Sequence, residues 1–397
     1  MNVPLLDLKA QYKTIKKEVD EALIRVAESQ YFILGPDVEK LEADICNYTG
    51  AKYAIGVSSG TDALLLALMA LDIKPGDEVI VPSYSFFATA GVVSRLNAVP
   101  IFVDSDPITF NIDVNQLEIV ITDKTKAIIP VHLYGQSADM DPIMVIAKKY
   151  NLKVVEDGAQ AIGVQYKDGR QVGTIGDIGC FSFFPSKNLG GFGDGGVVTT
   201  MDETLAEKLK IMRVHGGHPK YHHKIIGGNF RLDAIQASIL SIKLPHLDSW
   251  SAKRRVNASL YKKLIIEVGL AEIEGKLAFD EKNSVLLPKS IYKGLKGENG
   301  VELKNYHIYN QFIICVEKRD ELINFLRQKS IGCEIYYPIP FHKQECFQYL
   351  MDNPMYKKID FVNAEKFAAT SLALPIYPEL SDQQINYVVE SIKEFIG

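Results

Sequence analysis

Through the first half of the chain, short apolar runs alternate with segments whose apolar residues recur at helical spacing. Residues 12–29 place Ile15, Val19, Ala22, Leu23 and Val26 on one helical face. Gly35-Pro36 punctuates, and a second helix is predicted over 38–48. The pattern then changes. Residues 54–57 read as a buried strand, 58–61 as a turn and 62–71 as a helix. The same rhythm gives strands over 78–82, 100–104, 127–132, 153–157 and 178–184, with helices over 88–96 and 142–150. Continuous apolar strands alternating with helices predict an α/β fold: a largely parallel sheet covered on both faces. Such sheets bind ligands beyond the carboxyl ends of their strands. That rule singles out Ser59-Gly60-Thr61, Tyr84-Ser85-Phe86, Asp157 and Lys187, each of which closes or follows a strand.

The character shifts after a helix over 232–244 and Pro245. A long polar-faced helix is expected over 254–268, then an irregular insertion over 279–304, rich in Lys, Gly, Glu and Asn. A strand over 309–316, a helix over 319–328, an extended segment from Ile335 and a closing helix over 381–395, capped by Ser381 or Asp382, complete a smaller α+β unit. The expected division is 1–245 and 246–397, in keeping with a length of 397 residues.

Composition narrows the class. A net charge of -5, with no basic block, gives no electrostatic case for nucleic acid. The five cysteines are scattered without a CxxC pair, which suits a reducing compartment and argues against structural zinc. No signal-peptide pattern and no long uncharged apolar window appears, so a cytoplasmic protein away from membranes is expected.

The candidate chemistry centres on Lys187, which follows Phe181-Ser182-Phe183-Phe184-Pro185-Ser186 and precedes a glycine-rich run. A lysine held beside apolar walls loses hydration, its pKa falls, and its neutral amine becomes a nucleophile. The alternative is a surface lysine in a glycine-rich turn. The turn at Gly60-Thr61 suits a phosphate at a helix N-terminus, or else Ser59 or Thr61 simply caps that helix. Asp157 either caps a following helix or serves a ligand. Gly191 to Gly196 spells GxGxxG, yet it precedes a strand-like Val197-Val198-Thr199-Thr200 instead of opening a helix, so a dinucleotide fingerprint is rejected. His215, His218, His222 and His223 cluster in one segment without supporting carboxylates, so phosphate contact or solvation is expected there, and no metal.

Several motifs now fall into register. Ser59-Gly60-Thr61-Asp62-Ala63-Leu64, Val131-His132-Leu133-Tyr134-Gly135-Gln136, Glu156-Asp157-Gly158-Ala159-Gln160, Ser182 to Asn188, Gly228-Asn229-Phe230-Arg231-Leu232-Asp233 and Tyr336-Tyr337-Pro338 occur in order. Together they resemble the DegT/DnrJ/EryC1/StrS sugar aminotransferases over nearly the whole chain; the insertion at 279–304 looks less typical. The resemblance implies the aspartate-aminotransferase fold (fold type I), with pyridoxal 5'-phosphate (PLP) bound at a homodimer interface. It implies that Lys187 forms the internal aldimine, that Asp157 faces the pyridine nitrogen, and that Gln160 lies near the phenolic oxygen. Phe86 would stack on the ring; Gly60, Thr61 and Ser182 would hold the phosphate, with Asn229 reaching it from the other subunit. For the sugar nucleotide, Arg231 and Lys220 suit the diphosphate, and His307 and Tyr309 resemble residues lining the sugar pocket. Tyr309 reads equally as a core strand aromatic.

The expected activity is amino transfer from L-glutamate to a nucleotide-linked keto-sugar, with a lean to dTDP-linked 3-keto-6-deoxyhexoses over 4-keto sugars on dTDP, UDP or GDP. A dehydratase of the same family would carry histidine at position 187, and a nucleotide-sugar oxidoreductase would need the rejected fingerprint. A PLP-binding regulator would need a DNA-binding module for which the opening residues leave no room.

Overall fold

The computed structural model describes residues 1–397. Its centre is a seven-stranded sheet in the order β1-β7-β6-β5-β4-β2-β3. The strands are β1 (Tyr53–Val57), β2 (Glu78–Pro82), β3 (Val99–Val103), β4 (Thr125–Ile128), β5 (Lys153–Asp157), β6 (Ile178–Ser182) and β7 (Gly196–Thr200). Pairing is parallel from β3 through β2, β4 and β5 to β6. The exception is β7, antiparallel to both β6 and β1, so that β1 runs parallel to β6. The carboxyl ends of β1, β2, β5 and β6 therefore share one edge.

The apolar runs are continuous because both faces of the sheet are covered. Val79, Val81, Phe102 and Val155 pack under the helices Gly60–Ala70 and Ala88–Arg95, while Ile80, Ile101, Ile128 and Val154 face Ile143 and Ala147 of the helix Met140–Tyr150. The helix Gly60–Ala70 is apolar nearly all round, with Leu64, Leu65, Leu66 and Leu68 all buried. Each such leucine contributes about 1.5–3 kcal/mol on burial.

Beyond the sheet, the long helix begins at Leu247, earlier than its sequence suggests, directly after a turn containing Pro245, and runs to Glu267. It leads to a two-stranded antiparallel sheet of β8 (Phe312–Cys315) and β9 (Ser371–Leu374), flanked by the helices Arg319–Gln328 and Asp382–Ile396. Ser381 caps the last helix in a capping box with Gln384. The two cores interleave along the chain. Val3 lies in the smaller core, whereas Phe341, Phe347 and Leu350 join the core of the large sheet. The segment at 279–304 forms no helix or strand, yet it is not peripheral. Leu286 exchanges both backbone hydrogen bonds with Cys315, each 3.0 Å, and Tyr292 and Leu303 are buried beside Tyr166 of the large unit. The helices Glu203–Arg213 and Val362–Thr370 and strand β9 are further elements that the pattern reading did not name.

Candidate active site

The site is assembled at the shared sheet edge. After β1, Ser59 caps the helix Gly60–Ala70, its hydroxyl accepting from the Asp62 amide at 3.0 Å. Thr61 is thereby free of capping, and the first amides of the helix point out with no preceding turn to bond. A Cβ added to Gly60 would lie 2.7 Å from Cβ of Ser182, so glycine is needed for the end of β6 to approach this turn. Gly196 has the same role on the other side: it pairs with both Val57 and Ser182, and a Cβ there would lie 2.6 Å from the Ser59 carbonyl oxygen. Thr61, Ser182 and the first amides of the helix are thus brought together at the end of β6, an arrangement that suits an anion.

Lys187 sits in the loop that follows β6. The loop is closed at its base by Phe183, whose amide donates to Gly195 O and whose carbonyl accepts from the Gly191 amide, both at 2.8 Å. Next along the chain, Asn188 donates to Ile308 O at 3.0 Å and accepts from Asn310 Nδ2 at 2.7 Å. Lys243 is buried and donates to Gly190 O at 2.6 Å. Half-buried Lys187 has few polar neighbours: desolvation pushes its amine down to about 8, opposed by the charge of Asp157.

Asp157, at the end of β5, is buried. It accepts from Thr89 Oγ1 at 2.8 Å and from the Ala159 amide at 3.2 Å. Burial raises its carboxyl above the ordinary value, while Thr89, the Ala159 amide and Lys187 work against that rise. The capping alternative for Asp157 falls away, because a turn follows it where a cap would need a helix. Gln160 Oε1 accepts from the Tyr134 amide at 2.6 Å, and its Nε2 donates to the Tyr337 hydroxyl at 3.0 Å. Phe86 is 57% exposed, an unusual state for a phenylalanine at a strand end, with its ring 6.2 Å from that of Tyr337.

Behind Asp157 lies a fully buried pair. His132 Nδ1 accepts from the Ala138 amide at 3.0 Å, which leaves Nε2–H to donate to Glu156 at 2.9 Å. Glu156 also accepts from the amides of Gly173, Ile175 and Gly176. Burial alone would raise its carboxyl; the His132 bond and the amides outweigh it and hold the group below the usual value. The His132 amide donates to Asp157 O at 3.0 Å, so the pair anchors the strand end that carries Asp157. Glu156→Gln would set an amide NH2 against backbone amides that can only donate, at an expected cost of about 1–3 kcal/mol. Denaturant titration at neutral pH should show that loss. A depressed carboxyl stabilises above its unfolded pKa, so the wild-type advantage should shrink as pH falls below the ordinary glutamate value.

The other sequence candidates lie elsewhere. Arg231 pairs with Val57 beside the phosphate turn, and its Nε is buried without a partner. Asn229 and Lys220 are exposed on the segment between Val214 and Phe230, and neither hydrogen-bonds to the other candidates. Tyr221 and Ile226 of that segment are 80% and 85% exposed. His307 and Tyr309 are buried one layer behind Gln160, where Ile308 and Asn310 donate to Gly135 O and Tyr134 O at 2.9 Å. The Tyr309 hydroxyl is taken up by Ser290 at 2.6 Å and Lys262 at 3.1 Å, and His307 stacks on Tyr309 at 3.8 Å. These are the contacts of the core-aromatic alternative. Burial also holds His307 well below its ordinary pKa, hence neutral. Thr89 and the orienting roles of His132, Tyr134 and Tyr337 were not assigned from sequence, although the last three stand inside the quoted motifs.

A carboxylate at the end of β5 and a lysine of lowered pKa in the loop after the adjacent β6, near a helix N-terminus and an exposed aromatic face, fit a phosphorylated pyridine aldehyde. The class that this fold and site define is the PLP-dependent aminotransferases. The chain belongs to the DegT/DnrJ/EryC1/StrS aminotransferase family, whose model matches residues 13–393. It is 49% identical to the pleiotropic regulatory protein of Geobacillus stearothermophilus, with 100% of this chain and 99% of that one covered. It is 41% identical to dTDP-3-amino-3,6-dideoxy-alpha-D-galactopyranose transaminase of Aneurinibacillus thermoaerophilus, with 99% of each covered. With UDP-N-acetyl-3-dehydro-alpha-D-glucosamine 3-aminotransferase of Acidithiobacillus ferrooxidans it shares 40% identity over 98% of this chain and 97% of that one. Among solved structures, S. venezuelae DesV in complex with a ketimine intermediate superposes with a TM-score of 0.87 at 37% identity, covering 99% of this chain and 98% of that one.

Proposed function

We propose that this protein transfers the amino group of L-glutamate to a nucleotide-linked keto-sugar, at C3 of a dTDP-linked 6-deoxyhexose. PLP is its cofactor. The observation that carries the reading is the convergence of Lys187, Asp157 and the Gly60–Ser182 contact at one sheet edge. Two relatives named for 3-amino sugars support C3; their different carriers, dTDP and UDP, keep a UDP-linked sugar as a substrate to test.

When bound, PLP supplies an electron sink for negative charge at the carbon that bears the amino group. The residues do the rest. The amides of Gly60 and Thr61, with Ser182, hold the phosphate at the helix N-terminus. Asp157, fixed by Thr89 and the Ala159 amide, sets its carboxylate against the pyridine nitrogen and keeps a proton there. Gln160 donates to the phenolic oxygen. Phe86 covers one ring face and excludes water. The Lys187 amine would take the proton from the donor α-carbon and return it in the reverse transfer. Exposed Asn229 and its neighbours suit completion of the phosphate site by a second copy, and Arg231 or Lys220 suits the substrate diphosphate.

Two measurements test this reading. An assay with glutamate and a panel of 3-keto and 4-keto sugars on dTDP, UDP and GDP is expected to give turnover with a 3-keto member; turnover with 4-keto members alone would overturn C3. Since the amine titrates near 8, PLP capture by the apoenzyme is expected to speed up with pH and level off above that value. A rise continuing toward the ordinary lysine value would contradict the desolvated site.

A regulatory reading has one observation in its favour, the name of the Geobacillus relative. Against it, the helices Leu8–Ser29 and Pro36–Thr49 are built into the body. Ile15 and Val19 pack on Ile239 and Trp250, and Leu41 and Ile45 pack on the core beside Leu240, so these helices form no separate DNA-binding module.

A further inference from the structure

Gln160 stands one turn beyond Asp157, and what it presents to the site depends on which end of its amide faces which neighbour. The Tyr134 amide, 2.6 Å from Oε1, can only donate, so the carbonyl end is fixed there. The Nε2 end therefore faces the Tyr337 hydroxyl at 3.0 Å, with its second hydrogen left over. Tyr337 arrives from a segment 177 residues further along the chain. Its own amide donates to the Tyr84 hydroxyl at 3.1 Å, and the preceding carbonyl, of Tyr336, accepts from the hydroxyls of Tyr84 and Tyr134. The Tyr337 ring stands 5.9 Å from Tyr84 and 6.2 Å from Phe86. One side chain thus meets the amide assigned to the cofactor's phenolic oxygen and the ring assigned to its face, and it follows the segment whose Glu334 pairs with Ala373 of β9.

We propose that Tyr337 is a positioning residue: its hydroxyl locks the Gln160 amide so that the second Nε2 hydrogen is directed at the phenolic oxygen of the cofactor. The inference rests on the PLP reading above. It has a spectroscopic consequence that packing alone does not have. A donor directed at a phenolate stabilises its negative charge, which lowers the proton affinity of the group conjugated with it. Loss of one hydrogen bond to a charged group shifts such an equilibrium by about one pH unit or more.

The test is a pH titration of the visible absorbance of the PLP-loaded enzyme in wild type, Tyr337→Phe, Gln160→Ala and the double variant. Tyr337→Phe removes one oxygen and keeps the ring against Phe86 and Tyr84. Both single variants are expected to raise the midpoint by about one unit, and the double variant should match Gln160→Ala, since Tyr337 acts only through the amide. An unchanged midpoint in Tyr337→Phe, or an equal further shift when it is added to Gln160→Ala, would overturn the proposal. If wild type develops no visible band with PLP, the cofactor reading itself fails, an outcome distinct from either of these.

Discussion

Replacing Lys187 with alanine is expected to abolish turnover, with a fall of at least about 10⁴-fold, the upper range for a positioned acid–base group. The loss should exceed that figure, because one amine both captures the cofactor and moves the proton. The variant is expected to fold, since the side chain is half-buried and the loop is closed through backbone atoms of Phe183, Gly191 and Gly195. A far-ultraviolet spectrum and melting temperature close to wild type, together with no visible band on addition of PLP, would separate loss of chemistry from loss of fold. Added methylamine offers a further check, because an external amine can restore part of the proton transfer without restoring the tether. Retained transamination by Lys187→Ala would contradict the assignment.

The second large effect belongs to Asp157. Asp157→Asn keeps the shape and can still accept from Thr89, but it removes the charge that holds a proton on the pyridine nitrogen. A fall in kcat of about 10²–10³-fold is expected, the usual size for losing a preorganised electrostatic partner of developing charge. KM for the amino donor should change far less, since the residue acts on the ring and not on the donor. Burial raises the Asp157 carboxyl, and the Thr89 hydroxyl, the Ala159 amide and the charge of Lys187 work against that rise. Thr89→Val, which removes the 2.8 Å bond while keeping the shape, should reproduce a smaller part of the same fall. A kcat unchanged in Asp157→Asn would show that the carboxylate faces something else.

Much of this site could be read in the chain because its parts are local. The strands of a sheet covered on both faces are continuous apolar runs, so Asp157 and Lys187 announce themselves as the polar residues where such runs stop. The turn at Gly60 is equally local: a small residue that must touch Ser182, followed by an apolar helix. What the chain concealed are contacts made only by tertiary packing. Thr89 reaches Asp157 across 68 residues, and Tyr337 reaches Gln160 across 177. Strand β9 has four residues and owes its extended state to β8 beside it, so local periodicity has nothing to report. The insertion at 279–304 lacks periodicity for a similar reason, since Tyr292 and Leu303 bury beside Tyr166 while Leu286 joins a different cluster with Cys315. Tyr309 fits both readings offered for it: it lines a small cavity with His307 and Tyr134, while its hydroxyl is engaged by Ser290 and Lys262.

The central claim is that one lysine and one aspartate at a shared sheet edge pass nitrogen from an amino acid to a nucleotide sugar. Its most direct test follows the nitrogen. Enzyme loaded with PLP is incubated with ¹⁵N-labelled L-glutamate and dTDP-3-keto-6-deoxyhexose, and the nucleotide sugar is analysed by mass spectrometry and NMR. The predicted result is label bonded to C3 of the sugar, with equimolar 2-oxoglutarate, and none in the Lys187→Ala reaction. Absence of label from every keto-sugar in the panel, or label transfer undiminished by Lys187→Ala, would contradict it.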